Sequence, residues 1–80
     1  MHANKLAMDE HLIQSTLDQL RNYLANHPDC ADTLDGVYLV WLSTPHSKAI
    51  TQIALERLAE NQEIEAVKYG RAQILWRNRP

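Results

Sequence analysis

The sequence predicts a mainly α-helical domain with a small β-hairpin, on three observations. Ile13, Leu17, Leu20 and Leu24 stand four, three and four residues apart. At about 100° per residue they share an arc of roughly 60°, one stripe of an amphipathic helix. A second helical face, Ile50, Ile53, Ala54 and Leu58, follows the start signal Thr44-Pro45. Finally, two strand-like runs, 64–68 and 72–76, flank Tyr69-Gly70-Arg71. Gly70 there supplies the positive φ of a tight hairpin turn.

At 80 residues the chain has room for a single core. A domain this small buries only about 60% of the surface its unfolded chain exposes, so its large apolar residues are needed for folding. Hydrophobic residues make up 45% with only 2 Gly and 3 Pro, a globular rather than a disordered composition. The lone cysteine, Cys30, has no internal disulfide partner, so packing must hold the fold and a reducing compartment suits it. No apolar run approaches the ~20 residues of a membrane span, and the first residues lack a signal-peptide pattern. The expected location is cytoplasmic, with no membrane partner.

Residues 1–8 show no clear period and are expected to form a flexible N-terminal arm, leaving 9–80 as the domain. Helix 1 is expected over 9–25, with Asp9 and Glu10 suited to a helix start and His27-Pro28 ending it. Asp29, Cys30 and Ala31 form a connector or a strand of two or three residues. Asp32 is the expected cap of helix 2, with Asp35 at the capping-box position. The run Val37-Tyr38-Leu39-Val40-Trp41-Leu42 is compatible with a buried strand as well as a helix; the cap favours a helix over 33–42. Helix 3 is expected over 45–60 with Thr44 as its cap. Lys48, Gln52, Glu56 and Ala59 lie opposite its apolar face, and Asn61 provides a left-handed stop.

This order of elements resembles the winged helix-turn-helix domain over roughly residues 9–79. The residues that carry the likeness are Ala54-Leu55-Glu56-Arg57-Leu58-Ala59-Glu60-Asn61, then Ile64-Glu65-Ala66, Gly70-Arg71 and Trp76-Arg77. Asp32-Thr33-Leu34-Asp35-Gly36 followed by Trp41-Leu42 is similar to helix 2 of small bacterial winged-helix regulators. One departure is Gln62, which stands where such sequences often carry Gly, so that the turn would rest on Asn61. The resemblance implies three helices with a two- or three-stranded wing, and double-stranded DNA as partner in transcriptional regulation. It places helix 3 in the major groove and the wing on the backbone.

Carried over by position, the groove-facing residues would be Ser47, Lys48 and Gln52, with Thr51 on the flank. Lys donates to guanine O6 and N7, and Gln pairs with adenine N6 and N7. Charge placement adds Lys68, Arg71, Arg77 and Arg79. Residues 66–80 hold these four cations and no acid, a balance of +4, whereas residues 1–65 hold four cations and ten acids, a balance of −6. The total of −2 excludes a uniformly basic coat, yet one basic pole suits phosphate neutralisation. Against this stand Glu56, Glu60 and Glu63, which repel phosphate unless helix 3 enters by its N-terminal end or Glu56 accepts from a cytosine amine. A protein-interaction adaptor is the alternative, because fold alone does not decide function.

No catalytic motif occurs, so the chain reads as a non-enzyme without cofactor. His27 and Cys30 have a ligand-like spacing, but His2, His11 and His46 do not complete a metal site; Cys30 is expected to be buried and inert. Trp41 is expected in the core, with Trp76 either in the core or at a contact. Leu12 and Tyr23 are candidate outward residues for a homodimer through the N-terminal arm and helix 1.

Overall fold

The computed structural model describes the backbone of residues 2–79 and the side chains of residues 9–79. Helix α1 spans His2–Asn26. Its stripe of Ile13, Leu17, Leu20 and Leu24 is buried as expected. Thr16 joins this face because its hydroxyl donates to the Leu12 carbonyl at 2.9 Å and leaves no bare polar atom. The helix begins earlier than the expected residue 9, and the backbone of 2–8 is helical where an arm was expected. Ala3, Lys5, Leu6, Ala7 and Met8 are strong helix formers with no Gly or Pro among them. Met1 lies outside the described residues.

The connector is a strand, β1 (Ala31–Asp32). Helix α2 (Leu34–Gly36) is capped by Thr33, whose hydroxyl accepts from the Gly36 N–H at 3.3 Å. The expected cap, Asp32, is instead held in the sheet opposite Trp76, and its carboxylate accepts from the Thr33 N–H at 2.8 Å. The chain then continues as a π-helical segment, Val37–Trp41, and turns extended at Leu42. The ambiguous apolar run is therefore helical. The wider π turn sends Val37, Trp41 and Leu42 into the core and leaves Leu39 and Val40 72% and 61% exposed.

Helix α3 (Lys48–Glu60) starts later than Thr44-Pro45 suggests. Ser47, extended at φ −156°, accepts from the Ile50 N–H at 3.1 Å and is the true cap. The buried face of α3 is Thr51, Ala54, Leu55 and Leu58; Ile53, expected inside, is 39% exposed. The helix ends in a Schellman arrangement. Gln62, not Asn61, takes the left-handed conformation (φ 63°). The Gln62 N–H donates to Ala59 and the Glu63 N–H to Leu58, at 3.0 and 2.9 Å. The carbonyl bonds hold the strained residue where Gly would sit without strain.

Strands β2 (Ile64–Tyr69) and β3 (Gln73–Asn78) form the hairpin, and Gly70 turns it at φ 67°. The antiparallel sheet has the order β1-β3-β2, with Ala66 and Asp32 on either side of Trp76. The fold is thus mainly helical with a three-stranded sheet. One apolar cluster joins the α1 stripe, Val37, Trp41, Leu42, the α3 face, Ile64 and Trp76. Both tryptophans are core residues.

Gly36 has ordinary helical angles, φ −63° and ψ −43°, so its need is spatial. A Cβ there would lie 1.8 Å from Asp32 Oδ1 and 2.0 Å from its Cγ. Gly36→Ala is expected to lower stability by about 1–3 kcal/mol through overpacking, although Ala is the better helix former. In an Asp32→Ala background the same change is expected to be neutral or stabilising. Urea midpoints of the four proteins check this cycle.

Candidate nucleic-acid interface

The residues expected to read the groove divide once α3 is in place. Thr51 is fully buried and its hydroxyl donates to the Ser47 carbonyl at 2.8 Å, so it reaches no ligand. Ser47 commits its hydroxyl to the cap. Lys48 is exposed, with its ammonium 2.8 Å from Asp35 Oδ1. Gln52 is half-buried and lines a cleft of about 290 Å³ between α3 and the hairpin, with Leu34, Asp35, Ile74 and Trp76. Outside this cleft, and beyond Lys48 at its first position, α3 exposes Ala49, Ile53, Glu56 and Glu60, a surface with two acids and no cation.

The remaining cations fall into two groups. Arg21 makes two bonds of 2.9 Å to Glu63, and Arg57 makes bonds of 2.5 and 2.7 Å to Glu10. Arg77 lies opposite Glu65 on the outward sheet face and is paired with its Oε1 at 2.6–2.7 Å. Hydrogen bonding to Arg57, helped by Gln14, brings the Glu10 carboxyl from its ordinary 4.5 down to about 2. Arg21 likewise lowers that of Glu63. Among the described residues Lys68 and Arg71 have no carboxylate within 4.0 Å, and both are exposed. They stand on either side of Gly70 at the hairpin tip, beside Tyr69, which is 61% exposed. Arg79 is exposed beyond the sheet, its backbone N–H donating to the Glu63 carbonyl at 3.2 Å.

The start of α3 is positioned by a residue that the pattern did not single out. The Gln19 amide accepts from the Thr44 N–H at 2.9 Å and donates to the Thr44 carbonyl at 3.1 Å. It thereby pairs with that residue as a neighbouring strand would. Ser43 Oγ donates to the same Gln19 oxygen at 3.3 Å, and His46 lies 3.4 Å from Ser15 Oγ. The turn before α3 is in this way stitched to the outer flank of α1. This also explains why Thr44 is no cap: its backbone is already engaged. The only sequence signal was a long polar side chain next to the Leu17–Leu20 stripe, and nothing local names its partner 25 residues away.

Tyr23 is half-buried and stacked between Trp41 (5.2 Å) and His27 (4.1 Å), and Leu12 is half-buried too, so neither is a bare outward side chain. Side chains of residues 2–8, the other part of the expected dimer element, lie outside the described ones. Cys30 is half-buried against the core rather than fully buried. Desolvation, with Asp32 and Asp29 nearby, pushes its thiol up, away from reactive thiolate. Among the described residues no group of three or more His, Cys, Asp or Glu is placed to hold a metal, and no helix is long and apolar enough to cross a membrane. No protein-family model, curated protein or solved structure gives a significant match to the chain.

Two outcomes are expected. As pH falls below 4.5 the unfolded chain protonates at Glu10 while the folded chain resists until about 2, so stability falls across that window. Glu10→Gln is expected to make this decline shallower in thermal melts, and added salt to shrink the difference between the two proteins. Gln19→Ala is expected to lower stability by about 1–2 kcal/mol, from two or three exposed hydrogen bonds. Amide exchange would quicken first at residues 43–47 and the start of α3.

Proposed function

We propose that this protein is a small winged-helix DNA-binding protein, acting in transcriptional regulation in the cytoplasm without catalytic activity or cofactor. Lys68 and Arg71 carry the reading: among the described residues they are cations with no acid partner, grouped at a hairpin tip. The order helix, short strand, helix, turn, helix, hairpin, with β1 pairing onto β3, supports the winged-helix assignment. In this reading the hairpin anchors on phosphates. Helix α3 approaches by its N-terminal end, through Lys48 and Gln52, because Glu56 and Glu60 repel the backbone farther along. Arg77 and Arg79 contribute to the positive field, Arg77 less because Glu65 neutralises it.

The exposure of Leu39 and Val40 side by side favours a second reading, an adaptor that binds a protein partner. Anisotropy titrations of a random duplex at ~50 and ~150 mM salt separate the two, since phosphate binding makes affinity salt-dependent. Replacing Lys68 and Arg71 by Ala together is expected to weaken binding to every duplex. The salt slope should fall by about 2, because each phosphate that a cation neutralises contributes roughly 0.9. Gln52→Ala would instead change sequence preference. Absence of duplex binding at ~50 mM salt overturns the DNA reading, and a stoichiometric protein partner that survives nuclease treatment supports the adaptor.

A further inference from the structure

We propose that Tyr69 stacks on an unpaired base, so that the hairpin selects a junction between duplex and single-stranded DNA over a closed duplex. The inference rests on the DNA-binding reading above and names the form of DNA which that same tip would take. Of the three tyrosines, Tyr23 and Tyr38 are half-buried against the core, whereas Tyr69 leaves most of its ring in water. Its cross-strand partner is Gln73, and the ring pairs with no aromatic side chain among the described residues. Residue 69 ends β2, where the sheet has narrowed to two strands and the chain turns back at Gly70.

The surroundings of the ring match what stacking requires. Arg71 follows two residues later across the turn, and Lys68 precedes Tyr69 with its side chain leaving the opposite face of β2. The two cations can therefore hold phosphates on either side of the tip while the ring covers a base. Glu65 shares the outward face, but Arg77 neutralises it. A base inside a duplex has both faces covered by its neighbours and offers only its edges, so an aromatic ring finds an open face only where pairing stops. Stacking tolerates any base because every base has a π face. Selection by form as well as by sequence also agrees with α3: beyond Lys48 and Gln52 near its start, its outward residues Ala49, Ile53, Glu56 and Glu60 are poorly equipped to read base edges.

The test compares two fluorescent probes at equal salt: a blunt duplex, and the same duplex extended by a single-stranded overhang. The full chain is expected to bind the overhang probe at least about fivefold more tightly, the lower end of what one stacked base contributes. Tyr69→Ala is expected to abolish that preference while leaving blunt-duplex affinity and melting temperature unchanged. Tyr69→Phe, which keeps the π face, is expected to retain the preference. Equal affinity of the unaltered protein for the two probes overturns the inference alone, as does a Tyr69→Ala protein that weakens on both probes equally. An unaltered protein that binds neither probe overturns the DNA-binding reading together with it.

Discussion

The structure depends on the apolar stripe of α1 meeting Ala54, Leu55 and Leu58 of α3. Each large aliphatic side chain fully withdrawn from water contributes about 1.5–3 kcal/mol. In a chain of 80 residues, the described residues form one core cluster, and among them no second apolar layer stands behind this packing. Trp41 closes the cluster from the π-helical segment and Trp76 from the sheet, so helices and hairpin share a single interior. The ion pairs between elements are mostly solvent-exposed. They orient surfaces that the core has already brought together, and exposed pairs of this kind add little to stability.

Those pairs matter more for where charge remains available. Glu10 and Glu63 are bonded to Arg57 and Arg21, Asp35 to Lys48, and Glu65 to Arg77. Cations spread along the chain are thereby absorbed; among the described residues Lys68 and Arg71 keep a free charge at the hairpin tip, and Arg79 lies at the opposite end of the hairpin. A net charge of −2 is compatible with a locally positive end, because attraction to phosphate acts over roughly a Debye length, about 8–10 Å at physiological salt. The acids of α3 limit how much of that helix can face a polyanion, and so shift weight from helix to hairpin.

Periodicity makes the α1 stripe legible because four apolar residues on one arc have a single use, the burial of one face. Gly70 between two strand-like runs is equally direct. Short-range details are less so. Both helix caps differ from expectation, Thr33 in place of Asp32 and Ser47 in place of Thr44, because Asp, Ser and Thr are interchangeable caps until the tertiary partner of each backbone is known. Gln62 rather than Asn61 adopts positive φ, since the closing hydrogen bonds to Ala59 and Leu58 choose the position. Thr51, expected on the flank of the groove-facing surface, is buried, which follows from a modest rotation of α3 that periodicity leaves undetermined.

From the sequence alone follow the single small core, the mainly helical class, the hairpin and the polarity of charge between body and C-terminal end. These are encoded locally, in spacing, composition and turn chemistry. The tertiary structure decided that the apolar run 37–42 is helical, that β1 joins the sheet, that Gln19 holds the turn before α3, and which cations keep a free charge. Each of these depends on groups far apart in the chain arriving at hydrogen-bond distance. One-dimensional patterns carry no information about such distances until the core has closed.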